Sequence, residues 1–251
     1  MATIAIGDVH GNSAALDDLL CKLRSEVRPG DVMVFLGDYI DRGPNTKECV
    51  DRILALQHEL PGAVVCLCGN HDDWFLRTLR DHCQHTWLRA TDAFTTIRSY
   101  SLEAANVLRG AASRAGAALY GDDCRLPYEV FFDCVPLSHI QFFESLSSYY
   151  QSPDCVCTHG GLDPGVLNVH EQTRHALIWG AGGFPDKYDG NETVVYGHRN
   201  NAVVNATGWP SPAIIGRTIG IDTISHGVLT AVRLPDGRVY QSARCKTRNA
   251  V

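Results

Sequence analysis

Short apolar runs alternate along the chain with stretches of helical periodicity. The runs are "TIAI", "VMVFL", "AVVCLC", "DCVCT" and "TVVY". Each is too short for a helix and apolar at successive positions, which suits strands buried on both faces. After the first run, Ser13 to Arg24 carries Leu16, Leu19, Leu20 and Leu23. That spacing predicts an amphipathic helix with Asn12 or Ser13 as its N-cap. After the second, residues 46–60 set Val50, Ile53, Leu54 and Leu56 toward one side. Strand, helix, strand, helix, strand predicts a layered α/β fold. From about residue 73 to 150 the pattern is more helical than extended, predicting a helical insert or cap between sheet halves within one domain spanning 1–251. Near the end, "VLTAVRLPDGRVYQ" alternates around Pro235-Asp236-Gly237, the signal of two strands joined by a turn.

Each of the five runs stops in a polar cluster: "GDVHGN", "GDYIDRG", "GNHDD", "HGGLDP" and "GHRNN". In open α/β sheets, ligands sit outside the carboxyl ends of the strands. If the runs share a sheet, the clusters converge on one rim, although Asp8 and His198 are far apart in sequence. Together they offer Asp8, His10, Asp38, Asn70, His159 and His198 as oxygen and nitrogen donors. Mixed carboxylate and imidazole donors suit manganese, iron or zinc. A carboxylate such as Asp38 can bridge two ions roughly 3.5–4 Å apart, and such a pair clamps a phosphoryl oxygen and makes water nucleophilic near neutral pH. His71 is then the candidate proton donor to a leaving group, with Asp41 orienting its ring. Arg42 carries the fork that matches a phosphate. A lone Gly-Asp-x-His-Gly is most often a turn; five such clusters in order, each after an apolar run, point to a site.

Composition narrows the setting. A formal charge of -6 without a basic stripe argues against a nucleic-acid partner and is compatible with an acidic site that holds cations. Ten cysteines, several inside apolar runs and none in a Cys-x-x-Cys pair, read as reduced thiols rather than a disulfide framework or a zinc knuckle. No apolar stretch approaches the roughly 20 residues of a membrane span, and the N-terminus lacks the pattern of a signal peptide. The expectation is a cytoplasmic protein with no membrane partner.

"GDVHG", "GDYIDRG", "GNHD", "HGGLDP" and "YGH" resemble the ordered signatures of the metal-dependent phosphoprotein phosphatases, within the calcineurin-like metallophosphoesterases. The resemblance spans Gly7 to His198 and, more loosely, the closing strands. It implies a four-layer α-β-β-α sandwich holding two divalent metal ions, manganese foremost and iron or zinc as alternatives. One ion would be held by Asp8, His10 and Asp38, the other by Asp38, Asn70, His159 and His198. His71 and Asp41 would form the acid pair and Arg42 would hold phosphate. The activity implied is hydrolysis of phosphomonoesters, above all phosphoserine and phosphothreonine in a phosphoprotein or phosphopeptide. A related branch cleaves dinucleoside polyphosphates such as diadenosine tetraphosphate symmetrically with the same metal site. A catalytically dead scaffold of this fold is disfavoured, because the acid histidine and every ligand are present.

The chain departs from the family pattern twice. Asp72 follows His71 where eukaryotic members usually carry Glu, as in many bacterial relatives. Gly180-Ala181 stands where many members place a second phosphate-binding arginine; Arg199 and Arg174 are the candidate substitutes, Arg174 reading more as a surface residue. Other histidines and aromatics read as ordinary. His139, His170 and His175 suit surface or capping positions, Asp163 a turn beside Pro164, and Trp179 with Phe184 the core; His226 is a weaker candidate for the rim. "HCQHTWLR" fits the His-Cys-x5-Arg outline of a cysteine phosphatase loop, but a helical stretch precedes it and no glycine follows, so Cys83 is a decoy.

Overall fold

A computed structural model describes residues 1–121, 123–200 and 202–245. Its elements begin with β1 (Thr3–Ile6), α1 (Ser13–Leu23), β2 (Val32–Phe35), α2 (Thr46–Glu59), β3 (Ala63–Cys66) and α3 (Asn70–Arg80). There follow α4 (Thr86–Ala90), α5 (Ala93–Tyr100), α6 (Leu102–Ala115), α7 (Glu129–Phe132), α8 (Leu137–Glu144), β4 (Tyr149–Gln151), β5 (Val156–Thr158) and α9 (Arg174–Trp179). The chain closes with β6 (Val194–Tyr196), β7 (Val203–Val204), β8 (Pro210–Ser211), β9 (Ala213–Ile215), β10 (Thr218–Gly220), β11 (Thr230–Leu234) and β12 (Arg238–Gln241).

All five apolar runs form strands, but they are divided between two sheets instead of sharing one. The first sheet has the order β12-β11-β1-β2-β3, parallel from β1 to β3 and closed antiparallel by the hairpin β11-β12. The second has the order β4-β5-β6-β10-β9, parallel through β5, β6 and β10 with an antiparallel strand at each edge. Strands β7 and β8 make a separate ribbon.

Alternation along the strands stacks the layers. In β1, Ile4 and Ile6 face the helices while Ala5 faces the second sheet; in β2, Met33 and Phe35 face the helices while Val34 faces inward, as does Leu36 just beyond the strand. Strand β6 mirrors this: Val195 meets the inter-sheet cluster, whereas Val194 and Tyr196 pack outward with Leu177 of α9. The order is therefore α-β-β-α. A slip of one residue in any of these strands would exchange its two faces.

Helix α1 starts where its pattern predicts, yet Asn12 does not cap it through its side chain. The Asn12 amide donates instead to the carbonyls of Val9 and His10 at 3.0 and 2.7 Å, bracing the loop that carries His10. Helices α3 to α8 lie between β3 and β4, and Phe75, Trp87, Ile97, Leu108, Phe131 and Phe143 share one apolar cluster with α1 and α2. They thicken the helical layer over the first sheet. His139 is buried here, not on the surface: its ring bridges the Tyr100 hydroxyl at 2.8 Å and Asp51 Oδ1 at 2.9 Å, tying α8 to α5 and α2. Among the described residues no helix is long and apolar enough to cross a membrane.

Leu36 is fully buried between the sheets. Leu36→Ala should cost about 2–5 kcal/mol of stability, the range for a large-to-small change in a core that cannot collapse. Urea unfolding measures this, and a loss below about 1 kcal/mol would contradict tight packing between the sheets.

Candidate metal centre

The polar clusters follow the carboxyl ends of β1, β2, β3, β5 and β6, and the sandwich brings them to one rim. His159, after β5, lies with Nε2 3.5 Å from Oδ1 of Asp38, after β2. The backbone N–H of His198, after β6, donates to both oxygens of Asp8, after β1, at 3.2 and 3.1 Å. Sharp loop turns aim these side chains. His10, Asp38, Asp41, Arg42 and His198 have φ between 44° and 68°, and they are the only non-glycine residues with positive φ among the described residues. Such backbone costs about 1–3 kcal/mol per residue and persists only where its surroundings impose it. Asp72 is one such constraint. Its carboxylate accepts from the backbone N–H groups of Asp38, Tyr39 and Gly69 at 2.8, 3.2 and 2.9 Å, clamping the Asp38 loop to the start of α3. Two glycines permit the closest approaches: a Cβ at Gly69 would overlap the Asp38 carboxylate, and one at Gly197 would overlap that of Asp8.

The ring orientations identify what the cluster is built to hold. His10 donates from Nδ1 to the Ile40 carbonyl at 2.7 Å, so Nε2 carries a lone pair. Among the described residues that atom is buried without a hydrogen-bond partner, 3.4 Å from Asp38 Oδ2 and 3.9 Å from Asp8 Oδ2. His159 repeats the arrangement, donating from Nδ1 to the Leu36 carbonyl at 3.0 Å and presenting Nε2 to Asn70 Oδ1 at 3.0 Å. Burial lowers the pKa of both imidazoles, with Arg42 adding to the effect at His10. Nδ1 of His198 lies 2.8 Å from the same Asn70 oxygen, and burial followed by its neighbour His159 brings its pKa down to about 4.

The carboxylates are under the opposite stress. Burial, then Asp222 and Asp38, pushes the pKa of Asp8 well up. Burial also works against ionisation of Asp38, but His159, His71 and His10 together hold it well below the usual carboxylate range. Lone pairs and negative charge thus face one another in a buried space, an arrangement that cations relieve. The residues fit such a group. Asp8, Asp38 and His159 place donor atoms within 4.8 Å of one another, as do His10, Asp38 and His71, and Asp38 is common to both sets.

Beside this cluster, Nδ1 of His71 lies 2.7 Å from Asp41 Oδ2 and its Nε2 lies 3.9 Å from Asp38 Oδ2. Burial disfavours the charged ring, but Asp38 and the hydrogen-bonded Asp41 outweigh it and raise the pKa to about 9. Asp41 is itself fully buried and held by Trp87 Nε1 at 3.1 Å and Thr96 Oγ1 at 2.8 Å, both from the helical insert. Arg42 is exposed, and among the described residues its guanidinium makes no hydrogen bond or ion pair.

The two remaining arginines separate. Arg174 is exposed and engaged by Ser148 Oγ at 2.9 Å, Cys68 Sγ at 3.4 Å and Asp73 Oδ1 at 3.5 Å. Arg199 lies over Gly180: a Cβ there would sit 2.6 Å from Nη2, which donates to the Ala181 carbonyl at 3.4 Å. The guanidinium therefore occupies the space above the Gly180-Ala181 pair, where the family pattern has a side chain of its own. Arg199 also lines a shallow cavity of about 400 Å³ with Phe184, Asn200 and Ile215.

The profile of the calcineurin-like phosphoesterases matches residues 1–227. The chain belongs to that family. Among curated relatives, this calcineurin-like phosphoesterase is 27% identical over 259 aligned positions to the asymmetrical bis(5'-nucleosyl)-tetraphosphatase PrpE of Bacillus velezensis, covering 94% of this chain and 90% of that protein. It is 37% identical over 70 positions to serine/threonine-protein phosphatase BSL2 of Arabidopsis thaliana, covering 26% of this chain but 7% of the relative. Among solved structures, one provisionally assigned as a diadenosine tetraphosphatase superposes with a TM-score of 0.61 at 20% identity, covering 96% of this chain and 92% of the other. That likeness speaks to the fold.

Several residues of this phosphoesterase's site escape a reading of motifs. Asp222 follows β10 at the same rim and is 1% exposed, and by distance and angle neither of its carboxylate oxygens has a well-formed hydrogen bond among the described residues. Burial, with Asp38 adding to it, raises its pKa to about 6 against the pull of Arg42. The signal was present, since "TIGID" is another apolar run ending in an acid, but Gly220 interrupts it. Trp87 and Thr96 had no signal at all, because only packing brings the insert to Asp41. The minor readings divide. Asp163 makes its turn by accepting from the Gly165 N–H at 2.9 Å, and Phe184 is buried in the core. Trp179, expected in the core with it, is only partly buried and faces His198 at the rim. His170 meets the Tyr149 hydroxyl at 2.6 Å, and His226 belongs to neither donor set. Cys83 follows α3 on a loop, and desolvation, then Asp81, raises its thiol pKa, contrary to what a cysteine nucleophile needs.

Neither Gly69 nor Gly197 offers a ligand atom, yet Gly69→Ala and Gly197→Ala should each weaken manganese binding about 10-fold or more, as displacement of ligand supports does elsewhere. Calorimetric titration of metal into the apoprotein tests this; unchanged affinity in both variants would mean that the loops have room they do not show here.

Proposed function

We propose that this calcineurin-like phosphoesterase is a dinuclear metal hydrolase of dinucleoside polyphosphates. The observation that carries the chemistry is the His71–Asp41 pair at 2.7 Å, poised beside the shared ligand Asp38. In this reading Asp8, His10 and Asp38 hold one ion and Asp38, Asn70, His159 and His198 the other, with manganese favoured by the donor set. Bound there, the ions would supply Lewis-acid activation of the phosphoryl group and of the attacking water.

The protein's own residues do the rest. Arg42 and Arg199 take phosphate oxygens through their guanidinium groups. Asp41 accepts the Nδ1 proton of His71 in a hydrogen bond and so directs Nε2 outward as the acid. As water oxygen bonds to phosphorus and the bridging P–O bond breaks, Nε2 gives its proton to the departing oxygen. The substrate class is supported by end-to-end similarity to a tetraphosphatase, whereas the match to the plant protein phosphatase is confined to about a quarter of this chain.

A second reading, phosphoserine and phosphothreonine in proteins, is favoured by "GDYIDRG" and "HGGLDP", which are nearer the protein phosphatase pattern. A cytoplasmic setting goes with either reading and is supported by ten free cysteines.

Manganese-loaded protein should convert diadenosine tetraphosphate to nucleotides while leaving a phosphothreonine peptide nearly untouched at equal concentration. Chromatography of the products also separates ATP plus AMP, the asymmetrical outcome, from two ADP, the symmetrical one. Rapid phosphate release from the peptide with intact dinucleotide would reverse the substrate assignment. His71→Asn should lower kcat by about 10²-fold or more with normal metal content, the range for loss of a positioned acid. Asp38→Asn should lose metal together with activity, and retention of both ions by elemental analysis would remove Asp38 from the bridging role.

A further inference from the structure

The chain has four tryptophans, and they fall into two kinds. Trp87 and Trp209 use their indole N–H inside the fold, on Asp41 Oδ2 at 3.1 Å and Gln241 Oε1 at 2.7 Å. Trp74 and Trp179 do not: both are partly exposed, and among the described residues neither indole N–H meets an acceptor. An indole presents a large apolar face and a polar edge, and it normally finds a partner for that edge when packing is its whole purpose.

Their position is specific. Trp74 lies one turn beyond His71 on α3, with ring centroids 6.0 Å apart. Trp179 ends α9, with its ring 6.5 Å from that of His198. The two indoles meet at 4.5 Å with an interplanar angle of 66°. His175 stacks on Trp179 at 6.1 Å and 12°. Helix α3 belongs to the layer over the first sheet and α9 to the layer over the second, so the two outer layers each send one indole to the mouth of the metal centre. The result is an angled aromatic wall reaching from the acid histidine to the ligand His198.

We propose that Trp74 and Trp179 form a base-binding subsite that takes one nucleobase of a nucleoside polyphosphate while its phosphates lie over the metal centre. The proposal rests on the dinucleoside polyphosphate reading above and deepens it. The base stacks on one indole and meets the edge of the other, and the free N–H groups face its ring nitrogens and carbonyls. Stacking discriminates weakly between bases, because every base has a π face. The subsite therefore favours nucleotides over polyphosphates without bases, and tolerates either purine.

The test titrates a non-hydrolysable methylene-bridged analogue of diadenosine tetraphosphate into the manganese-loaded protein, with inorganic tripolyphosphate as the control lacking a base. Calorimetry and tryptophan emission are read together, and turnover of diadenosine tetraphosphate by the unaltered protein is measured alongside. The analogue should quench the emission. Trp74→Leu and Trp179→Leu should each weaken it about 10-fold and leave tripolyphosphate within about twofold, and Trp74→Phe should recover most of the loss. If the protein cleaves the dinucleotide but the leucine variants bind the analogue unchanged, the subsite is wrong and the hydrolase reading stands. Equal weakening of analogue and tripolyphosphate would make the tryptophans structural and also overturn the subsite. A protein that neither cleaves the dinucleotide nor prefers the analogue to tripolyphosphate would overturn the hydrolase reading and the subsite with it. Should the variants fail to fold, bound analogue without quenching in the unaltered protein would still refute it.

Discussion

Asp38 stands where three imidazoles and two further carboxylates meet in a largely buried space, and the surrounding structure serves that one crowded point. Burial favours neutral groups, yet His159, His71 and His10 keep Asp38 ionised while Asp8 and Asp222 are pushed toward protonation. Two of the imidazoles give their Nδ1 N–H to a backbone carbonyl, which turns Nε2 into the same space. A cluster with this much unneutralised acceptor character is costly when empty of cations, because buried charge without a partner loses its hydration and gains nothing in return. Its persistence requires a scaffold that over-determines each position. The Asp72 clamp, the two close glycine passages and five strained loop residues supply that rigidity.

The sandwich divides the work between its sheets. Asp8, Asp38 and Asn70 follow strands of the first sheet or open the helix after it, while His159 and His198 follow strands of the second. Neither sheet carries the whole donor set, so the inter-sheet core of Ala5, Val34, Leu36, Cys157 and Val195 is what sets the spacing of the donors. The outer layers contribute the adjacent chemistry: the insert holds Asp41 through Trp87 and Thr96, and α3 and α9 deliver the paired indoles. Packing density couples the fold to the site, since a shift at the sheet interface is a shift between the candidate donors.

The departures from the family pattern acquire a physical meaning. Gly180 leaves no side chain in its place, and the Arg199 guanidinium fills that space from the loop after β6. A cation is thus present near the same point, although it arrives from another part of the chain and on a different stem. Asp72, shorter than glutamate, still reaches three backbone N–H groups because it sits in the first turn of α3, where the loop of Asp38 passes closest.

Strands, the first two helices and most of the site were legible in the sequence for a simple reason. Buried strands must be apolar at successive positions, and a strand end that carries carboxylates and histidines has little structural excuse for them. The motifs at residues 7–11, 37–43 and 69–72 thereby announced the candidate donors that the fold brings together, with His71 beside its partner Asp41. Other features were settled only in three dimensions. The split of the runs into two sheets depends on which faces find each other, a choice that periodicity within one strand does not encode. Asp222 was hidden by a glycine in its strand, and His139 became a buried bridge because helices distant in sequence packed around it. Trp87, Thr96, Trp74 and Trp179 look like ordinary apolar or polar residues until α3, α5 and α9 are placed against the rim. Local pattern determined which segments end in reactive groups; long-range packing decided which of those ends meet, what supports them and what a substrate would touch.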